Sequence, residues 1–153
     1  MNPTPSPLVL VADDDPDILA LVRFRLEREG YDVICAPDGQ AALELALDHP
    51  PDLAVLDVMM PRLNGYEVTR RLREHEPTKA MPIILLTARV GESDLEHGFE
   101  MGADDYVTKP FSPQMLRERV QAALGVCIGA TEDAASRRVA PVRRPGPSSG
   151  QAP

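Results

Sequence analysis

The stretch PDLAVLDVMMPRLNGYE, residues 51–67, holds a short apolar run that stops abruptly at a carboxylate. Leu53 to Leu56 read as a strand buried on both faces, and Asp57 stands at its tip. A turn is expected at Asn64-Gly65, where the next helical pattern begins. A lone surface Asp can end any strand, so the meaning of Asp57 depends on what else reaches the same place.

Outward from this stretch, apolar runs alternate with helical patterns. LVLVA (8–12) is a strand. Asp15-Pro16 reads as an N-cap followed by Pro at the first helical position. Ile18, Leu19, Leu21, Val22 and Leu26 form the apolar face of that helix, and Gly30 closes it. DVICA (32–36) is a second strand. Ala41, Ala42, Leu45 and Ala46 mark a second helix, and residues 66–75 a third. PIILL (82–86) is a fourth strand, and a weaker helix spans about 93–101. DYVT (105–108) is a fifth strand, and 113–124 a final helix. Continuous apolar strands alternating with helices imply a parallel sheet covered on both faces. With right-handed crossovers, five βα units predict a flavodoxin-like α/β fold with strand order 2-1-3-4-5. In such a sheet the site lies beyond the carboxyl ends of the strands, between the first and third.

That edge has named occupants. The first strand is followed by Asp13-Asp14-Asp15, the third by Asp57, the fourth by Thr87 and the fifth by Lys109. Clustered carboxylates raise one another's pKa, and a hard cation relieves them. Mg²⁺ accepts one or two carboxylates together with waters and phosphate oxygens. The set suits phosphorylation of Asp57, with Mg²⁺ and Lys109 neutralising charge and Thr87 donating a hydrogen bond. Each residue has a plainer reading. Asp15 is more simply an N-cap than a ligand, Thr87 alone a loop residue, and Lys109 alone a solvated charge. Their joint placement at four strand ends of one sheet carries the inference. His49, His75 and His97 are scattered and read as surface or helix residues. Phe24, Phe99 and Phe111 read as core or contact residues.

Composition sets the bounds. The chain has 153 residues, 43% of them apolar, enough for one domain with a substantial core. Its two cysteines, Cys35 and Cys127, lack metal-ligand spacing and read as reduced thiols. No run is apolar and long enough for a membrane span, and the start lacks a signal-peptide pattern. A cytoplasmic location follows as the expectation. The net charge is −8; residues 126–153 contribute +2, which leaves −10 for residues 1–125. An acidic body argues against direct nucleic-acid binding and suits a cation or a basic partner. Residues 1–7 read as a flexible leader and 126–153 as a disordered Pro-, Gly- and Ser-rich tail or linker. The chain is then either a stand-alone domain or one cut from a longer protein.

VLVADDD, LAVLDVMMPRLNGYE, PIILLTAR and GADDYVTKPFSP together resemble the receiver domain of bacterial two-component response regulators, over residues 8–125. Within that family they are most similar to receivers that carry winged-helix DNA-binding outputs. The resemblance implies that Asp57 accepts a phosphoryl group from a histidine kinase or phosphotransfer protein. It implies Mg²⁺ held directly by Asp14 and Asp57, by Asp13 through water, and by the Met59 backbone carbonyl. Thr87 and Lys109 become phosphoryl contacts, Tyr106 the switch aromatic, and Lys109-Pro110 a cis peptide. On this reading the domain is a signalling switch with Mg²⁺-dependent self-phosphorylation and autodephosphorylation, not an enzyme acting on other molecules. It presents the face built from the fourth helix, fifth strand and fifth helix to a downstream protein. In the family's dimers that face carries paired charges beside an apolar patch. Here Asp105 and Arg119 keep one pair, Leu95 and Met115 replace another, and Glu96 and Arg117 enter the patch. A monomer or weak dimer is therefore expected. Two other classes fit the sequence less well. An Asp-nucleophile phosphatase of the haloacid-dehalogenase type needs an acid two residues after the nucleophile, where Met59 stands. A pseudo-receiver acting only as a binding module would lack an acid, the Thr or the Lys, and none is missing.

Overall fold

A computed structural model describes residues 6–88 and 92–125, with the side chains of 92–95 outside the description. The tail at 126–153, Cys127, most of the leader and the Leu95 side chain therefore lie outside the described residues. The elements are β1 (Leu8–Ala12), α1 (Pro16–Arg28), β2 (Asp32–Ala36), α2 (Gly39–Asp48) and β3 (Leu53–Asp57), then α3 (Gly65–Leu72), β4 (Ile83–Thr87), α4 (Glu92–Met101), β5 (Asp105–Thr108) and α5 (Pro113–Leu124). The strands form one parallel sheet in the order β2-β1-β3-β4-β5. This is the order that the pattern of apolar runs predicts.

Alternation along the strands feeds two cores. Leu10, Leu56 and Leu85 pack with Ala42, Ala46, Val68 and Leu72 of α2 and α3. Val9, Val11, Val55 and Leu86 pack with Val22 and Leu26 of α1 and Leu116 and Val120 of α5. Residues of β3 and β4 are buried throughout. Each fully buried Leu or Ile removes enough apolar surface to contribute about 1.5–3 kcal/mol. The middle strands are thereby stiff supports for what stands at their ends.

Four expectations need correction. β4 runs one residue later than predicted, so Thr87 belongs to the strand. α3 begins at Gly65 and ends at Leu72, short of His75. Its start is fixed by a capping box: the Asn64 side chain accepts from the Glu67 N–H, and the Glu67 carboxylate accepts from the Asn64 N–H. Its end is fixed by Thr78, whose hydroxyl donates to the Leu72 carbonyl at 2.6 Å, and a 3-10 turn at Glu76–Thr78 follows. Leu21 is not a core residue, and Phe24 is a contact residue, not a core one. They are 43% and 61% exposed on the outer face of α1, where Phe24 lies under the Arg28 guanidinium.

Candidate functional site

The carboxyl ends of β1, β3, β4 and β5 build the site. Asp13 follows β1 directly and is fully buried; its N–H donates to the Ala36 carbonyl of β2 at 3.2 Å. Its Oδ1 accepts from the Asp15 N–H at 2.9 Å, which fixes the loop into α1. Asp15 caps α1, its Oδ1 accepting from the Asp17 N–H. Asp14 is exposed. Asp57 is the last residue of β3, buried beside Leu86 of β4. Gly65 lets the start of α3 close on it: a Cβ there would stand 2.6 Å from the Asp57 carbonyl oxygen. One oxygen each from Asp13, Asp14 and Asp57 lie within 4.8 Å of one another.

Lys109 follows β5 by one residue, across a cis bond to Pro110. Its Nζ lies 3.0 Å from Asp13 Oδ2 and 3.3 Å from Asp57 Oδ2. Its N–H donates to the Thr87 carbonyl at 2.8 Å, tying the ammonium's backbone to the end of β4. Thr87 is buried. Met59 is 63% exposed, and its N–H reaches Asp57 Oδ1 at 3.4 Å.

Among the described residues, three carboxylates, Asp13, Asp14 and Asp57, gather here with one ammonium, Lys109. Burial first, and the Asp13 charge second, push Asp57 up to about 6, although Lys109 pulls it down. Burial acts to lower the Lys109 pKa, but Asp13 and Asp57 outweigh it and hold the ammonium above its ordinary value. Asp57 is therefore largely ionised at neutral pH, under repulsion that Lys109 only partly relieves. An under-neutralised set of hard oxygen donors fits a divalent cation such as Mg²⁺.

The structure brings Asp13, Asp14, Asp57 and Lys109 into one cluster with Thr87 and Met59 at its rim. Tyr106 stands apart on β5, half-buried against the core on the α2–α3 side, with Phe99 of α4 across its ring at 5.3 Å. His97 is exposed on α4 with its ring edge-on to Tyr66 at 4.5 Å, and belongs to no metal-binding group among the described residues. Two supporting residues escaped the sequence reading. Arg62, in the loop after β3, adopts φ +74 and pairs with Asp38, the cap of α2, at 3.3 Å. Gly39 lets that loop approach, since a Cβ there would overlap the Leu63 carbonyl. The Asp38-Gly39 pair could have been found as a helix start; nothing marks Arg62.

Residues 9–121 match the family described as response regulator receiver domain. The chain belongs to that family. It is 51% identical over 116 residues to the alkaline phosphatase synthesis transcriptional regulatory protein PhoP of Bacillus subtilis, covering 76% of this chain and 48% of that protein. The receiver thus spans about half the length of that curated relative. Among solved structures it is similar to a response regulator from Chloroflexus aurantiacus, with TM-score 0.74, 38% identity, and coverage of 79% of this chain and 99% of that one. It is also similar to the receiver domain of a sensor histidine kinase from Pseudomonas aeruginosa PAO1, with TM-score 0.73, 31% identity, and coverage of 79% and 99%. That structure holds a magnesium ion in its active-site cleft. The receiver is a module of two-component signalling, and its likeness to a transcriptional regulator agrees with the motifs read from the sequence. Among the described residues, no helix is long and apolar enough to cross a membrane.

Proposed function

We propose that this receiver takes a phosphoryl group on Asp57 from a histidine kinase or phosphotransfer protein. The observation that carries the reading is Lys109 Nζ between Asp13 and Asp57, at 3.0 and 3.3 Å, beside an ionised carboxylate at a rigid strand tip. An Asp57 oxygen attacks phosphorus, a P–O bond forms, and the donor's P–N bond breaks to leave a neutral imidazole after protonation. Lys109 meets the charge carried by the phosphoryl oxygens, and the Thr87 hydroxyl donates to one of them. Water later attacks phosphorus, releasing inorganic phosphate and restoring the carboxylate. Asp14 and Asp57 would hold Mg²⁺ directly, Asp13 through water and Met59 by its carbonyl. Bound there, the ion supplies charge neutralisation for the carboxylates and the phosphoryl group.

Tyr106 is the switch aromatic that follows Thr87, and the face of α4, β5 and α5 meets a downstream protein. Arg119 donates to both Asp105 oxygens, at 3.0 and 2.9 Å, and Met115 is exposed beside them. Arg117 does not belong to this face, contrary to the expectation from the sequence. It turns to α1, with Nε 3.7 Å from Glu29, because positions 115 and 119 share one side of α5 and 117 the other. Glu96 remains exposed on α4. With one charge pair in place and apolar Met115 at another, we read the domain, residues 8–125, as a cytoplasmic monomer or weak dimer that does not contact nucleic acid itself. Incubation with a small phosphodonor and Mg²⁺ should add one phosphoryl mass, and Asp57→Ala should abolish the addition. A variant labelled as well as the wild type would overturn the assignment.

A further inference from the structure

Gly98 lies buried in the middle of α4, where glycine lowers helix propensity and nothing in the helix itself calls for it. A Cβ built there would stand 1.8 Å from Tyr106 Oη, 2.6 Å from Tyr106 Cζ and 3.1 Å from Leu85 Cδ1. The phenol therefore occupies the space of a missing side chain, with Phe99 bracketing the ring edge-on. Withdrawal of α4 is not an easy escape from such a clash. The Gly98 carbonyl accepts from the Ala103 N–H at 3.0 Å. The Gly102 carbonyl accepts twice from the Arg73 guanidinium, at 3.0 and 2.6 Å, and that guanidinium also grips Asp104 at 2.9 Å. Thus the far end of α4 is clamped to α3 and to the start of β5. Leu85, the other side chain that the Cβ would meet, is buried in the fourth strand, opposite Tyr106 in the sheet register.

We infer that Gly98 is the positioning residue that admits the Tyr106 ring to its seat between α4 and β4, so that α4 and the ring move as one unit. This rests on the reading of Tyr106 as the switch aromatic. A methyl group at 98 closes the seat and expels the ring, and the link between Asp57 and the α4 face is lost while Asp57 itself is untouched.

The chain has no Trp and three Tyr, so tyrosine emission reports directly. In a Tyr31→Phe, Tyr66→Phe background Tyr106 is the sole emitter. Gly98→Ala should make that emission markedly more quenchable by acrylamide. It should also lower the melting midpoint by about 5 °C or more. In a Tyr106→Ala background the same substitution should leave the midpoint unchanged or raise it, because alanine is the better helix former. If Gly98→Ala is too unstable to melt, recovery of folding by Tyr106→Ala supports the seat, and failure to recover overturns it. Unchanged quenching, or an equal midpoint change in both backgrounds, also overturns it. Labelling of Asp57 by a phosphodonor is followed separately. Gly98→Ala should still be labelled at the wild-type level, with the phosphodonor's effect on Tyr106 quenching lost. A wild type that takes no label sinks the proposed function while the quenching and melting results still decide the role of Gly98.

Discussion

Two half-buried ionic clusters sit at opposite edges of the same sheet, and they are built on opposite terms. At the amino-terminal edge of β4, Arg73 donates to the carbonyls of Thr78, Lys79, Met81 and Gly102, and it pairs with Asp104. Asp104 in turn accepts from the Ile83 N–H at 2.9 Å. Main-chain acceptors surround the guanidinium, and the Asp104 carboxylate offsets its charge. At the carboxyl edge, among the described residues, three carboxylates gather and one ammonium, Lys109, lies 3.0 and 3.3 Å from two of them, Asp13 and Asp57. The first cluster is satisfied and holds α3, α4 and β5 together. The second, among the described residues, is left short of positive charge, and that shortage suits a cation. Similar side chains thus fasten the fold at one edge and are left under-neutralised at the other, among the described residues.

Substitutions at the two edges should move stability in opposite directions. The largest effect is expected at the satisfied edge. Arg73→Ala strands several carbonyls and Asp104, and should cost about 2–4 kcal/mol in denaturant unfolding. A loss under about 1 kcal/mol would mean that water replaces the guanidinium freely.

At the carboxyl edge, Asp57→Asn should stabilise the metal-free protein by about 3 kcal/mol at pH 7–8. The sign follows from the raised pKa of Asp57, about 6 in the fold. The fold prefers the protonated acid, so the wild type loses stability as pH rises from the ordinary carboxylate range through about 6. Asparagine does not titrate. Its advantage should therefore vanish below about pH 4 and be complete above about pH 7. A pH-independent difference would contradict the electrostatic origin. Mg²⁺ should reverse the order in part, stabilising the wild type by about 1.4 kcal/mol at ten times its dissociation constant. Asp14→Asn and Asp57→Asn should blunt that response, and a wild-type melt indifferent to millimolar Mg²⁺ would count against the site. The smallest effect belongs to the exposed Asp105–Arg119 pair. Arg119→Ala should change stability by about 0–1 kcal/mol. Light scattering with beryllium fluoride should detect no tight dimer in the wild type. A tight dimer that forms only with the mimic and is lost in Arg119→Ala would contradict the weak-dimer reading.

The carboxyl edge was largely legible in the sequence. Buried parallel strands print as unbroken apolar runs, and their order sends Asp13, Asp57, Thr87 and Lys109 to one edge. The satisfied edge was not. Arg73 bonds mainly to backbone carbonyls, which leave no side-chain signature to pair with it. Gly98 and Tyr106 are eight residues apart on different elements, and the only trace was a glycine lowering helix propensity. Leu21 reads as part of the buried face because an apolar residue on a helical pattern is counted as core unless its angular position is weighed. Arg117 was misplaced for the same reason, two positions from Met115 and Arg119 on α5. The early end of α3 was hidden because a threonine six residues on supplies the closing hydrogen bond.

The claim that the carboxyl edge is under-neutralised can be tested at a single group. Carbon-13 NMR of the aspartate carboxyls, assigned to Asp57 by loss of its signal in Asp57→Asn, should show Asp57 titrating near 6 in metal-free protein. Added Mg²⁺ should drive that titration well below its metal-free midpoint. An Asp57 that titrates in the ordinary carboxylate range without metal, and does not respond to Mg²⁺, would contradict the account.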